Sequence, residues 1–349
     1  MTRPTSPPTD RSADPGTEPP RPRPDGTRLL LGAYALAPTG TPAEAEVLAA
    51  LPALGVQTLE LPLPAPGTAA ETARWVATHL PDDVDLVVTA IPRTMQRLAD
   101  DPAYGLSSAD PDSRRAALDD LAVLQELAQR LADDAGRPRL ASVELHSAPG
   151  PGLGTPAAFR QSLDEVLGWD LSGAHLLVEH CDAHVDGQPA AKGFWPLHDE
   201  ITVLQALVAD APGTAQRCGV SINWGRSAIE GRSAATPVEH VRAAAQAGLL
   251  RAVVFSGAAA TTTPWGAAWA DQHIAPRGED PALALSEGSL LGAQEIAESL
   301  AAARGCTLDA VGIKVTVRPD EAGPEERLAV ARASLRLVTE ALDHEAART

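Results

Sequence analysis

From residue 28 onward, short apolar runs of β type alternate with longer segments whose apolar residues recur about every 3.6 positions, the pattern of a parallel sheet with crossover helices. Eight such pairs can be read. The strand candidates are RLLLGAY (28–34), VQTLELPL (56–63), VDLVVTAI (84–91), RLASVELH (139–146), HLLVEHC (175–181), CGVSINW (218–224), LRAVVFS (250–256) and VGIKVTV (311–317). Their centres are mostly apolar, as strands covered on both faces require. An open sheet of eight parallel strands would leave two edges to protect, so closure into a (β/α)8 TIM barrel spanning 28–349 is the expected fold, with a doubly wound open sheet as the alternative.

The helices carry start signals with a physical cause. TPAE at Thr41 and TPVE at Thr236 each place Thr at the N-cap, Pro at the first helical position and Glu three residues after the cap. Thr155-Pro156 opens another helix in the same style, and Gly55, Gly168 and Gly248 stand where helices should stop. Leu121, Leu124, Leu127 and Leu131 line one helical face, and Leu328, Leu335, Val338 and Leu342 line another. Pro52 is expected to end or kink the first helix about one turn early. The stretch GPGLG (150–154) lacks the full GxGxxG spacing and contains Pro151, so it reads as a loop.

Residues 1–27 hold eight prolines and no aromatic residue or apolar stretch, which predicts a disordered tail without a signal peptide. The longest apolar runs are far below the roughly 20 residues that a membrane span needs. With a formal net charge of −18 and no basic patch, nucleic acid is a poor partner. Cys181, Cys218 and Cys306 are widely separated and outside any CxxC spacing, which suits a reducing cytoplasm. A homo-oligomer is compatible with all of this.

A barrel of this kind keeps its active site at the C-terminal ends of its strands. Those ends offer Tyr34, Glu60, Glu144, His146, the run EHCDAH (Glu179 to His184), Asn223, Trp224, Arg226, Ser256 and Lys314. The long segment between strands seven and eight adds Trp265, Trp269, Asp271 and His273. Among 28 Lys plus Arg only Lys192 and Lys314 are lysines, and Asn223 is the sole asparagine. In a chain that otherwise uses Arg, Lys314 inside an apolar strand suggests a need for a compact ammonium. Its plainer reading is a structural ion pair inside the barrel. Lys192 reads as solvent-facing. Glu179, His180, Asp182 and His184 form the densest cluster of candidate metal ligands, with Asp271 and His273 as a second pair, and carboxylates and imidazoles together suit Mn²⁺, Zn²⁺, Co²⁺ or Mg²⁺. Adjacent strand residues point to opposite sides, so Glu179 and His180 cannot both face the axis. For His79, His175, His198, His240 and His344 the structural reading is preferred.

The succession VELHSAPG, LLVEHCDA, SINWGRSAIEGR, VVFSG and WADQH resembles the xylose isomerase-like barrels, which include sugar isomerases, epimerases and endonuclease IV, and is most similar to a bacterial branch known only as a domain of unknown function. The resemblance covers nearly the whole chain from Arg28. It implies a divalent metal at the barrel mouth, a strand-five glutamate among its ligands, and proton transfer between neighbouring carbons of a sugar or keto-sugar. Glu179 matches that glutamate. Members of the group complete the site with an acidic residue on strand six, a His on strand seven and a Glu on strand eight, where this chain has Asn223, Ser256 and Lys314. Either the metal has moved to a set such as Glu179, Asp182, Asp271 and His273, or Lys314 carries the charge in its place.

The expectation is therefore an isomerase or epimerase of a small carbohydrate, with Glu179 as metal ligand or general base, Lys314 stabilising an enediolate and His146 polarising a substrate oxygen. Tyr34, Glu60, Glu144, Asn223 and Arg226 would bind substrate, and Trp224, Trp265 and Trp269 would stack on sugar faces or belong to the core. The alternatives are a metal-independent lyase or aldolase with a Schiff base on Lys314, and a non-catalytic carbohydrate-binding barrel.

Overall fold

The computed structural model describes residues 26–348, so the expected tail lies, up to residue 25, outside the described residues. Eight parallel strands close into a barrel in sequence order: β1 (Arg28–Leu31), β2 (Thr58–Pro62), β3 (Asp85–Thr89), β4 (Leu140–Leu145), β5 (His175–His180), β6 (Cys218–Asn223), β7 (Leu250–Phe255) and β8 (Ala310–Ile313). The open-sheet alternative is overturned by the pairing of β1 with β8, where Leu30 lies opposite Gly312. That seam is tight: a Cβ on Gly312 would sit 1.9 Å from the Leu30 carbonyl oxygen.

Alternation along each strand divides the apolar residues into two populations. The outward set packs under the helices as the main core, and a small inward cluster of Leu30, Val87, Leu177, Ala252, Val254 and Ala310 fills the middle of the barrel. Below this plug lie ion pairs, with Asp85 held by Arg28 and Arg137, and Asp309 by His175. Above it, the next inward positions are polar: Glu60, Thr89, Glu144, Glu179, Ser221 and Asn223, all buried. The plug thus separates a structural ionic floor from a polar mouth at the strand C-termini.

The helix signals meet mixed outcomes. Thr41 and Thr155 cap Pro42–Leu54 and Pro156–Leu167, accepting from Glu44 N and Ala158 N at 3.3 and 3.1 Å. Gly55 ends the first of these helices in the left-handed conformation, and Pro52 sits inside its last turn without ending it. There the missing N–H costs a single hydrogen bond in the last turn, which Gly55 still closes by donating to the carbonyls of Leu51 and Pro52. The capping box expected at Thr236 does not form. The helix runs Ala235–Gln246, and Ser233 Oγ accepts from Ala235 N at 3.1 Å, which leaves Thr236 inside the first turn. Leu121, Leu124, Leu127 and Leu131 are buried as expected, but they span two consecutive helices, Pro111–Leu121 and Val123–Ala135. No helix among the described residues is long and apolar enough to cross a membrane.

Because Thr155 provides a cap and Thr236 does not, Thr155→Ala should cost about 1 kcal/mol of stability, and Thr236→Ala less than about 0.5 kcal/mol. Paired urea denaturation curves at constant m-value test this difference.

Candidate active site

Two linked groups of side chains fill the mouth. On the β1–β2–β8 side, Lys314 follows β8 and donates from Nζ to Glu60 Oε1 at 2.6 Å, while the Tyr34 hydroxyl donates to the same oxygen at 3.2 Å. The ammonium also lies 5.0 Å from the centre of the Tyr34 ring. Burial alone would depress the Lys314 pKa, but the negative groups around it, Glu60 first and Glu179 among them, together raise it well above the ordinary value and hold the amine protonated. Burial, reinforced by Glu60, pushes the Tyr34 phenol up, so it stays neutral.

On the β4–β5–β6 side, Glu179 is the hub. Its Oε2 meets His146 Nε2 at 2.7 Å and Thr89 Oγ1 at 3.5 Å, and its Oε1 forms an ion pair with Arg226 Nη1 at 2.6 Å and accepts from Asn223 Nδ2 at 3.2 Å. Burial would raise this carboxyl, yet Arg226, Lys314 and His146 together hold it well below the usual range. Asn223 also caps the helix Trp224–Gly231, its Oδ1 accepting from Arg226 N at 3.4 Å. An amide can accept for the helix and donate to Glu179 at once, whereas a carboxylate at this position would add a second negative charge against the first.

Arg226 spans the remaining distance. Its Nη1 also contacts Cys181 Sγ at 3.3 Å, and its Nε donates to Asp271 Oδ2 at 3.4 Å. Asp271 in turn accepts from Lys192 Nζ at 3.0 Å and lies 3.5 Å from His273 Nδ1, which meets Ser256 Oγ at 2.8 Å. His273 is held neutral, its pKa lowered to about 3 first by burial, against the pull of Asp271. Glu144 differs from the other acids. Burial and the nearby charges of Glu179 and Glu60 raise it well above the ordinary value, its Oε1 accepts from Ser221 Oγ at 2.8 Å, and its Oε2 has no partner. It is a neutral acid with a free oxygen inside the mouth.

A family model described as a domain of unknown function (DUF4862) matches residues 30–330. The chain belongs to the DUF4862 family. An uncharacterized protein of Salmonella typhimurium is 34% identical to this DUF4862 member over 274 residues, covering 76% of this chain and 81% of the relative. Among solved structures, a D-psicose 3-epimerase in the presence of D-fructose matches with a TM-score of 0.55 at 13% identity, over 90% of this chain and 99% of that one. A protein from Anabaena variabilis described as a sugar phosphate isomerase/epimerase matches with a TM-score of 0.54 at 14% identity, over 91% and 99%. The expected likeness to xylose isomerase-like barrels therefore holds for the fold.

Of the residues read from the sequence, the DUF4862 barrel brings together Tyr34, Glu60, Lys314, Glu144, His146, Glu179, Asn223, Arg226, Asp271 and His273. Others lie elsewhere. Asp182 uses Oδ2 to accept from Ala191 N and Lys192 N, holding the loop after β5. Trp224 is wholly buried in the main core, and Trp265 packs with Ala259 and Ile274 while donating to Thr316 O. Trp269 lies under Arg232, 5.2 Å from ring centre to guanidinium carbon. Lys192 is the reverse case: read as solvent-facing, it is tied to Asp271 at the rim. Thr89 and Ser221 join the mouth without having been expected there, and Cys181 joins it from the EHCDAH run with no role assigned to it beforehand. Their signal is alternation, since each continues the inward series of its strand.

The quartet Glu179, Asp182, Asp271 and His273 is not assembled. Among the described residues, two other groups have ligand atoms within 4.8 Å of one another and so allow a metal: His146, Glu179 and Cys181, and His180, Glu230 and His240. At the mouth, the first group does not suit one. Arg226 Nη1 already contacts both Glu179 and Cys181, and burial holds the Cys181 thiol protonated. A divalent ion there would face a buried guanidinium and the Lys314 ammonium, with two of its three donors engaged.

Removing the hub cation is expected to be costly. Arg226→Met leaves Glu179 and Asp271 buried without their shared partner and should lose about 3–5 kcal/mol in denaturant unfolding. Glu144→Gln should behave oppositely. A folded-state pKa raised above the unfolded value gives a contribution that is complete below about pH 4.3 and declines as pH rises, so the stability of the variant relative to the native protein should improve between pH 5 and pH 8.

Proposed function

We propose that this protein is an isomerase or epimerase of a small carbohydrate or keto-sugar, working by proton transfer at the barrel mouth. The observation that carries the reading is the pairing of two buried carboxylates, Glu179 and Glu60, with two buried cations, Arg226 and Lys314, beside a neutral imidazole and a neutral carboxylic acid. Proton abstraction next to a carbonyl needs such a set: a base, a proton carrier, and fixed positive charge where the enediolate oxygen develops.

Lys314 supplies that charge, and it already stands as an ammonium against Glu60. The Glu179–His146 pair moves the proton. With Arg226 and Asn223 both bonded to it, Glu179 is a weak base. A substrate hydroxyl or carbonyl that takes over either donor removes part of the stabilisation, and the carboxylate becomes more basic when substrate is in place. Glu144 offers its free oxygen to a second substrate oxygen and holds the proton needed for return to the neighbouring carbon. No step in this scheme passes through a metal.

The same geometry counts against a Schiff base on Lys314, because an amine kept charged by a carboxylate 2.6 Å away is a poor nucleophile. The similarity of the barrel to a D-psicose 3-epimerase supports a ketohexose-sized substrate as the first class to assay.

The test is a panel of ketohexoses, aldoses and their phosphates in D2O, followed by NMR for deuterium incorporation next to the carbonyl. Turnover on at least one member is expected, falling at least about 100-fold in Lys314→Met and in Glu179→Gln while circular dichroism still reports a folded barrel. Full activity in both variants, or turnover without exchange of a carbon-bound proton, would overturn the reading.

A further inference from the structure

On the outer side of β5, away from the barrel axis, His180 begins a second polar network that the proposed chemistry does not use. Its Nε2 lies 3.0 Å from Glu230 Oε2, and the other oxygen of Glu230 lies 3.6 Å from His240 Nε2. The two imidazoles meet edge to face, with ring centres 4.8 Å apart. The three residues come from three separate elements: β5, the helix Trp224–Gly231 and the helix Ala235–Gln246. His180 is wholly buried, while the side chains of Glu230 and His240 are 14% and 15% exposed, which leaves a route to solvent on one side.

We propose that His180 Nε2, His240 Nε2 and the Glu230 carboxylate form a binding site for a divalent transition metal, Zn²⁺ by ligand chemistry, within the wall of the barrel and separate from its mouth. Three structural features support it. A tetrahedral ion with ligands at about 2.0–2.1 Å separates its donors by about 3.3 Å, and here one donor atom from each of the three residues lies within 4.8 Å of the others, with the histidines 3.0 and 3.6 Å from the two oxygens of Glu230. Each imidazole is also held from behind: His180 Nδ1 meets Glu200 Oε2 at 2.8 Å, and His240 Nδ1 meets Ser227 Oγ at 3.0 Å. Metal-binding histidines are oriented in this way, the far nitrogen bonded to a carboxylate or hydroxyl so that the near one presents its lone pair. Finally, two carboxylates stand against His180, Glu200 at Nδ1 and Glu230 at Nε2, so a cation held between the rings would meet negative charge. Zn²⁺ would take the Nε2 lone pair of each histidine, and any proton on those nitrogens would leave to solvent. Two nitrogens and a carboxylate oxygen match zinc better than the all-oxygen shells preferred by Mg²⁺ or Ca²⁺. Glu230 is one helical turn beyond Arg226, so an ion there would pin the helix that carries Arg226 into the mouth.

The experiment uses the full chain stripped with chelator and titrated with Co²⁺, then Zn²⁺. Visible absorption of four- or five-coordinate Co²⁺ saturating at one equivalent, displaced by Zn²⁺, is expected from the native protein and needs no variant. Competition with a chromophoric chelator should show Zn²⁺ affinity reduced at least about 100-fold in His240→Ala and Glu230→Gln, and unchanged in Asp271→Asn at the mouth. Zn²⁺ should also raise the thermal midpoint of the native protein by several degrees, and that of His240→Ala by less. The proposal is overturned if the native protein binds neither ion at tens of micromolar, if His240→Ala keeps native affinity, or if Asp271→Asn abolishes binding. None of these readouts depends on sugar turnover, so the site and the proposed reaction succeed or fail separately.

Discussion

Arg226 carries a permanent positive charge into a space from which water is excluded, and the charges around it persist only because it does. Glu179 and Asp271 meet on its guanidinium, one from the end of β5 and the other from the segment between β7 and β8. Desolvating three charges is expensive, and only mutual contact with further hydrogen bonds offsets it. Those bonds come from His146, Asn223, Thr89 and Lys192. The mouth is therefore a single electrostatic unit in which no member can be altered without changing the charge state available to the others.

The same logic accounts for the different behaviour of acids that lie close together. Glu179 and Asp271 are surrounded by donors and cations and remain ionised. Glu144 sees mainly hydroxyl and carboxylate neighbours and keeps its proton. Divergence of this sort between similar groups separates bases from acids in enzyme sites. The outer network behind β5 is built on a parallel plan, with one imidazole charged and its neighbour neutral, although it faces helices rather than substrate.

Much of the barrel was legible because its signals are periodic and local. Eight apolar runs, Thr-Pro starts at Thr41 and Thr155, and glycine at position 55 each act within a few residues of where they are read. Thr236 shows the limit of that approach, since its motif matches Thr41 but Ser233 captures the free N–H earlier in the chain. For the site, strand ends identified Glu60, Glu144, Glu179 and Lys314, because an apolar strand tolerates a charged side chain only where a partner or a ligand offsets its desolvation. Distance in space was what the sequence could not carry. Asp182 lies three residues from Glu179 yet serves a loop, whereas Asp271 is far along the chain yet shares Arg226 with it. Trp224 and Trp265 look like sugar platforms by type and are core by position. Glu230 and His240 gave no sign of meeting His180, because helix packing alone decides which helical faces touch a strand.

Gly32, directly after β1, adds a last consequence. A Cβ there would come within 2.9 Å of Lys314 Cγ and 3.2 Å of Glu60 Oε2, so the bare backbone is what lets the lysine stem pass. The placement of the ammonium is thus controlled by a residue with no side chain and no chemistry of its own. Relatives that carry a bulkier residue at this point would be forced to route their strand-eight side chain differently, and attention to polar residues alone would overlook the position that separates the two designs.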